Sequence, residues 1–478
     1  MRGPRLRFAI DPGAAGLGIG AARDALFSWL MARSEAGAIV LRSDLSTEAS
    51  GEAERRVIDD LLWLGLGWDE GIEAQGEQGP YRRSQRLHLY RRTAEDLLRR
   101  GLAYRCACSV PSARDGGGSP ARCACGRGTP AAAVGQAAGA PRILLRAGPD
   151  GEPGDLVLLQ RDGGPGPEFA TALDDAMMGI THVVSGPGRT MATVRQELLH
   201  AAIGEGTGPR SIELPPIDAA GDGSTSEGKE APIVERCRLE GYPPEAVLNL
   251  LAHLGAATDV GQELLTREEM LAGFDRGRVA GERRTFAVRR LDNLARRHMA
   301  RMAPERLAGL AAEHLANAGM LGDPPSTVEI AWAGAVARLF VDRLARMVDL
   351  PSYAEPLFRF DPGRCLADDS VLRTLREPQS RRVIEILIRT WADQADRQDL
   401  TAVGIRALVD AVRRTTGTKG KPLYDAFRIA LTGRSEGPDL AQLIALIERG
   451  SRLPLPRRVV GCGERARSLL AAIEGGGR

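Results

Sequence analysis

The run Leu6-Arg7-Phe8-Ala9-Ile10-Asp11-Pro12-Gly13-Ala14-Ala15-Gly16-Leu17-Gly18-Ile19-Gly20-Ala21-Ala22-Arg23 passes from a strand signal through a glycine-rich turn into a helix signal. Leu6 to Ile10 reads as a short strand. Asp11 to Gly20 reads as a loop. Ala21 to Arg33 reads as a helix that carries Ala22, Ala25, Leu26, Trp29 and Leu30 on one face. A second strand, Ala38 to Arg42, follows. A second helix runs from Glu52 to Leu64, with Ala53, Val57, Leu61 and Leu64 at helical spacing. A third runs from Ser84 to Arg99, with Ser84 as its N-cap and Gly101 as its stop. Strand and helix in alternation predict a parallel α/β sheet.

The glycine turn itself has two readings. Gly16 to Ala21 fits the G-x-G-x-x-A dinucleotide pattern, and Asp44 lies where a ribose-binding acid belongs. That reading is an NAD-dependent oxidoreductase. However, five residues separate Ile10 from Gly16, whereas a dinucleotide turn follows its strand at once. A helix N-terminus near Gly20 can receive a phosphate under either reading.

Further along, 109–141 is rich in Gly, Ala, Pro and Ser, the composition of a loop or insertion. Strand signals resume at Ile143 to Leu145 and Leu156 to Leu159. A second α/β portion covers 167–215, and 218–230 is loop-like. From 232 onward the chain reads as helices, broken near 321–325, 351–363 and 416–422. No fixed-period repeat is present.

The 478 residues suggest about three domains. Hydrophobic content of 43% and charged content of 26% exclude wholesale disorder. No window approaches the ~18 apolar residues of a membrane span, and the N-terminal residues lack a signal-peptide apolar region. The expectation is a cytoplasmic protein with no membrane partner. The net charge is +2, yet of the 64 basic residues only Lys229, Lys419 and Lys421 are lysine and 61 are arginine. GC-rich coding accounts for that bias, so arginine excess alone does not establish a nucleic-acid partner.

Seven cysteines, an odd number, argue against a secreted disulfide framework. Cys106-x-Cys108 and Cys123-x-Cys125 form two close pairs that can converge on tetrahedral zinc, with thiolates at about 2.3 Å. A site closed by four cysteines leaves no position for water, so such a zinc would be structural; four free thiols are the competing reading. Six scattered histidines form no i, i+4 pair. Neither a serine nucleophile elbow nor a Walker-type phosphate loop occurs. Arg413-Arg414-Thr415-Thr416-Gly417-Thr418-Lys419-Gly420-Lys421-Pro422 joins two expected helices, and its clustered cations can follow a phosphate backbone. A merely solvated loop is the plain alternative.

Six stretches in order resemble bacterial glutamyl-tRNA synthetase, a class I aminoacyl-tRNA synthetase. They are Leu62 to Glu70, Gly79 to Leu87 continuing to Tyr90, Ala103 to Cys108, Asp174 to Val183, Gly241 to Leu251, and Phe427 to Arg434. The resemblance spans nearly the whole chain. It implies a Rossmann-type α/β parallel-sheet catalytic domain with a zinc-binding insertion, followed by all-α stem-contact and anticodon-binding domains. The implied divisions are 1–86 and 167–225 for the catalytic halves, 87–166 for the acceptor-stem insertion, 226–305 for stem contact and 306–478 for the anticodon region. It also implies ATP bound near Gly18, Ile19 and Gly20, with Lys229 as the remnant of the catalytic lysine loop. Glutamate would lie near Arg7, Asp44 and Arg189, zinc on the four clustered cysteines, and tRNA, with tRNA(Glu) expected, on Lys419, Lys421 and Arg428. A monomer is expected.

The departures fall where ATP and glutamate would touch. The family's first signature, roughly R-x-A-P-S-P-T-G-x-L-H-I-G-G-A-R, is matched by Arg7, Ala9, Leu17, Ile19, Gly20 and Arg23, but Gly18 stands in place of its histidine. Glycine offers no side-chain donor for developing charge. The K-x-S-K-R signature has become Ser226-Glu227-Gly228-Lys229-Glu230, one cation between two acids. The arginine of R-G-E-D-H becomes Ser185, with Arg189 four residues on, and the tyrosine of T-Y-N-F-A becomes Pro167. These departures predict a tRNA-binding homologue whose aminoacylation is weak or lost, a pseudoenzyme. The alternative is an active glutamate-tRNA ligase that uses Lys229 and Arg189 as substitutes.

Overall fold

The computed structural model describes the chain except for 1–2, 11–15, 46–50, 108–139, 147–153, 187–189, 205, 220–233, 256–262, 280–282, 393–401 and 476–478. The first elements are β1 (Arg5–Ile10), α1 (Ile19–Ser34), β2 (Ala38–Ser43), α2 (Gly51–Leu64) and β3 (Glu70–Gly71). Next come α3 (Leu87–Arg99), β4 (Ala103–Cys106), β5 (Arg142–Leu145), β6 (Leu156–Leu159) and α4 (Pro167–Met177). β7 (His182–Ser185), α5 (Thr190–Ile203), β8 (Arg210–Glu213) and β9 (Ile217–Ala219) follow. Then come α6 (Val234–Leu239), α7 (Pro244–Gly255), α8 (Arg267–Ala272) and β10 (Arg284–Phe286).

Five strands form a wholly parallel sheet in the order β3-β2-β1-β7-β8. The order reverses between β1 and β7. In open α/β sheets such a reversal leaves a crevice beyond the strand C-termini. Register pairs Arg7 with Val40, Ala9 with Arg42, and Val183 with Ser211. With the period-2 alternation of strands, Arg7, Arg42, Val183, Ser185 and Ser211 therefore share one sheet face. The apolar residues Phe8, Ile39 and Leu41 occupy the other face and line a small hollow with Ala25 and Trp29 of α1. β4, β5 and β6 make a separate antiparallel sheet, which packs Ala103, Ile143 and Leu158 against Tyr90 and Leu97 of α3 and Phe169 of α4.

The expected parallel α/β sheet and the helical remainder are present; the strand signals at 143–145 and 156–159 fall in the separate antiparallel sheet, which the sequence did not announce. Two local expectations fail. Ser84 does not cap α3: a 3-10 turn, Arg83–Arg86, precedes the helix, and its cap residue is Arg86. The burial of Arg83 and Arg86 draws that turn toward carboxylates described below. The second miss is a strand: β10 pairs in parallel with β9 at Arg284–Ile217 and Phe286–Ala219, where only helices were expected.

The described chain divides into two compact units, Met1–Arg238 with Pro244–Leu291, and Leu239–Pro243 with Asp292–Arg478. After α9 (Val288–Arg301), the later helices are α10 (Pro304–Asn317), α11 (Thr327–Phe340), α12 (Leu350–Phe358), α13 (Pro362–Leu366), α14 (Asp369–Arg376), α15 (Pro378–Ala392), α16 (Ala402–Thr416), α17 (Lys421–Thr432), α18 (Leu440–Ser451) and α19 (Cys462–Gly475). The break expected at 351–363 is partly helical, because Pro351 sits in the first turn of α12, where its missing N–H costs nothing. Ser326 and Glu329 close a capping box on α11, and Asp361, Asp368 and Asp439 cap α13, α14 and α18.

Arg465 of α19 holds this second unit together from inside. Its guanidinium is fully buried and donates to the main-chain carbonyls of Val460 (2.7 Å), Pro356 (2.8 Å), Leu431 (2.9 Å) and Leu357. Three of these carbonyls lie in the last turns of α12 and α17, where carbonyls lack helical partners and the helix dipole favours a cation. It makes no ion pair among the described residues, and burial lowers its pKa to about 10. Among the described residues, no helix is long and apolar enough to cross a membrane.

Candidate active site

Arg7 projects from the middle of β1 toward α4. Its Nε lies 2.7 Å from Asp175 Oδ1, and Arg42 Nη1 lies 2.6 Å from the same oxygen. Arg42 Nε reaches Asp44 Oδ1 at 3.0 Å, and Arg83 Nη2 reaches Asp44 Oδ2 at 2.9 Å. On the neighbouring residue of α4, Asp174 accepts from Arg86 Nε at 2.7 Å and from the Tyr90 hydroxyl at 2.8 Å. Four guanidiniums thus interleave with three carboxylates, almost entirely out of water; Asp175 is 2% exposed and Arg42 1%. Pairs at such depth are tolerated only when each charge has a partner.

The electrostatic directions follow from this packing. Burial holds Arg7 below the ordinary arginine range, although Asp175 opposes it. Burial acts the same way on Arg42, but Asp175, Asp44 and Asp174 outweigh it and raise its pKa. Asp44 is pushed upward by burial and more strongly downward by Arg42, Arg83 and Arg7, so it ends below the usual carboxylate range. Asp174 ends above that range, because burial prevails over Arg42 and Arg86.

A cavity of about 370 Å³ opens beside this network. Arg7, Val183 and Ser211 line its sheet side, with Thr171 and Asp175 of α4 and Glu197 of α5 on the helices across it. It lies at the reversal between β1 and β7. On the same sheet face, Arg42 Nη2 and the Ser185 hydroxyl are buried without a hydrogen-bond partner among the described residues, exceptions to the usual pairing of buried polar groups.

The start of α1 supplies a second feature. Gly18 is its N-cap, in extended conformation (φ −72°, ψ 160°), with no side chain to cap the helix. The first turn holds no acidic residue, so its free N–H groups suit an anion. A Cβ added at Gly18 or Gly20 would meet nothing within 4 Å. The segment is fixed from behind. The Val234 amide of α6 donates to the Leu17 carbonyl at 2.9 Å, and buried Arg23 donates to the Pro215 carbonyl at 2.6 Å. Asp60 of α2, beside the Leu17 amide and 3.7 Å from Arg238, is pushed up by burial to about 6.

The structure therefore brings Arg7 and Asp44 into one network through Arg42, and sets Gly18, Ile19 and Gly20 at the head of α1. Asp44 spends its charge on Arg42 and Arg83. Lys229, Arg189, Cys108, Cys123 and Cys125 lie outside the described residues. Cys106 is buried at the end of β4. Among the described residues, no group of three or more metal-ligating side chains occurs. Lys419 and Lys421 are exposed on either side of Gly420, where α17 begins. Arg428 lies seven residues further along that helix, roughly 10 Å at 1.5 Å per residue, and donates to the Pro438 carbonyl at 2.7 Å.

Sequence reasoning did not single out Arg42, Asp175, Asp174, Arg83 or Arg86. The signal was there: Arg42 is the one charge in Ala38-Ile39-Val40-Leu41-Arg42, and Asp174-Asp175 directly follow the apolar Ala172-Leu173 on the buried part of α4. Charges at core positions mark paired or functional groups.

Comparison with known proteins agrees with this geometry. The family model for class I tRNA synthetases (E and Q), catalytic domain, matches residues 5–115 and 149–293, and that for an anticodon binding domain matches 306–453. A glutamate–tRNA ligase of Heliobacterium modesticaldum is 30% identical over 487 aligned positions, covering 96% of this chain and 97% of the relative. One of Bacillus cereus is also 30% identical, covering 96% and 99%. Among solved structures, a glutamate tRNA ligase from Elizabethkingia meningosepticum, in complex with its amino acid, superposes with a TM-score of 0.72 at 20% identity, over 98% of this chain and 99% of that one. A glutamate-tRNA synthetase from Elizabethkingia anophelis gives 0.70 at 21%, over 98% and 100%. The parallel sheet with its crevice and the matches along both units agree: the chain belongs to the glutamyl-tRNA synthetase family of class I aminoacyl-tRNA synthetases.

Proposed function

We propose that this chain is a tRNA-binding, monomeric member of that family, acting in the cytoplasm on tRNA(Glu), with glutamyl-adenylate formation weak or lost. The family reaction joins glutamate to tRNA with conversion of ATP to AMP and pyrophosphate. The observation that carries the proposal is Gly18. It stands at the N-cap of α1, where an anion would meet the helix, and it supplies no side-chain donor. One preorganised donor to developing charge is typically worth ~10²–10³ in rate. Lys229 between Glu227 and Glu230 weakens the second contact to the triphosphate. The expected result with purified protein, ATP, glutamate and total tRNA is little or no charging; near-normal charging overturns the proposal. The nicotinamide reading is not carried forward, because the glycine turn is taken up by the synthetase catalytic match at 5–115.

One observation favours the second reading, an active ligase. Arg7 and its buried partners are intact and border a cavity of suitable size for an amino acid. Under that reading Lys229 and Arg189 substitute for the missing groups, and Lys229→Ala abolishes charging.

A structural zinc on Cys106, Cys108, Cys123 and Cys125 belongs to the same proposal. Cys106, buried at a strand end, is suited to a closed thiolate site that holds the insertion together. Metal analysis is expected to find about one zinc per chain, and none after all four cysteines become serine; metal-free protein as isolated excludes it.

A further inference from the structure

The cavity beside Arg7 and Asp175 carries an uneven set of charges. Among the described residues that line it, Arg7 is the one cation, against the carboxylates of Glu168, Asp175 and Glu197. Asp175 is held by Arg7 and Arg42. Glu168, in the first turn of α4, pairs with Arg195 of α5 at 2.9 Å, so that guanidinium is occupied as well. Glu197, two residues further along α5, is exposed and makes no hydrogen bond or ion pair among the described residues.

The hydrogen-bonding groups divide in the same way. Arg7 Nε donates to Asp175, while its two Nη groups have no partner among the described residues and remain as charged donors on the sheet side. Across the cavity, Gln196 Nε2 donates to the Glu168 carbonyl at 3.0 Å, which leaves its Oε1 as an acceptor. Glutamate brings two carboxylates, and Arg7, already holding Asp175, can receive one. The other would lose water against Glu168 and Glu197 with no free cation to meet it, an unfavourable placement for a charge. A side chain that ends in a cation meets the reverse: Glu197 supplies the countercharge and Gln196 an acceptor for an N–H. The volume, about 370 Å³, lies in the small-molecule range and accommodates one amino acid.

We infer that this cavity selects an α-amino acid with a cationic side chain, of the lysine type, over glutamate, with the α-carboxylate on Arg7 and the side-chain ammonium on Glu197. The inference rests on reading the cavity as the amino acid site of the catalytic unit. It adds a cause for weak glutamyl-adenylate formation that is separate from Gly18: the acidic wall opposes the family's own substrate.

The test is titration calorimetry of the full chain with L-lysine and L-glutamate, each alone and without ATP or tRNA. Lysine is expected to bind at least ~10-fold more tightly than glutamate. Cadaverine, a diamine with no carboxylate, is expected to bind at least ~10-fold more weakly than lysine, because it leaves Arg7 unserved. Glu197→Gln, at an exposed position, is expected to remove most of the lysine preference without shifting the melting temperature, and Glu197→Lys to reverse it in favour of glutamate. Glutamate bound as tightly as lysine, as a carboxylate grip by Arg189 would give, overturns the inference and leaves the amino acid site standing. A lysine preference indifferent to Glu197→Gln overturns it too. Binding of neither amino acid at millimolar concentration overturns both the inference and the reading of the cavity. Glutamate charging is a separate assay, and its outcome bears on the weak-adenylation reading alone.

Discussion

Asp175→Ala is expected to destabilise the first unit by about 3–5 kcal/mol, because it leaves two buried guanidiniums facing one another. Asp175 Oδ1 serves Arg7 and Arg42 at once, at 2.7 and 2.6 Å. With it gone, the carboxylate left to act on Arg7 among the described residues is Asp44, already divided between Arg42 and Arg83. At roughly 2 °C or more per kcal/mol for a unit of this size, the calorimetric transition of that unit is expected to fall by at least about 6 °C. Asp175→Asn keeps the shape and one acceptor but not the charge, so it is expected to fold, with a smaller loss. In that variant, glutamate binding followed by titration calorimetry is expected to change, since Arg7 is no longer held against α4. An unchanged transition in the alanine variant, together with unchanged binding in the asparagine variant, would show that the network does not organise the crevice.

Gly18→His is expected to raise ATP–pyrophosphate exchange with glutamate by about 10-fold or more. The backbone at residue 18 lies in a region open to any residue, and a Cβ there meets no described atom within 4 Å, so a side chain can leave this position without backbone strain. The expected gain is set below the full ~10²–10³ of a single donor, because groups that act together on one transition state are not additive and only one lysine, Lys229, remains of the K-x-S-K-R signature. A substitution that leaves exchange untouched, in a wild-type protein that already exchanges rapidly, would instead establish that other residues have taken over the role.

Much of this architecture could be read from the chain itself, for identifiable reasons. Helical spacing in Ala22, Ala25, Leu26 and Leu30 and the apolar strands at 38–42 and 143–145 report burial directly, and those elements stand where they were expected. β10 was invisible because Arg284-Thr285-Phe286 is too short for any periodicity to register. Ser84 misled because a good cap residue was outweighed by tertiary pull: Arg83 and Arg86 are anchored to Asp44 and Asp174, and the turn between them tightens accordingly. At the site, Arg7 and Gly18 were legible through motif position. Their partners were not, since Arg42 and Asp175 are 133 residues apart and only the reversal of strand order brings them together. Asp44 illustrates the converse: its position in the chain suggested a ligand contact, while its geometry shows a carboxylate already shared between two arginines.

Lys419 and Lys421, exposed around the left-handed Gly420, have a practical consequence. They are two of only three lysine side chains in the chain. Apart from the N-terminal amine and Lys229, amine-directed chemistry therefore has one address. Dyes, cross-linkers and amine-coupled sensor chips will converge on the head of α17, so tethered molecules will largely share one orientation with this loop occupied by the tether. Binding measured on such a surface will under-report any ligand that needs the loop. Thiol- or tag-based attachment leaves it open, and the difference between the two formats would itself map the loop's contribution.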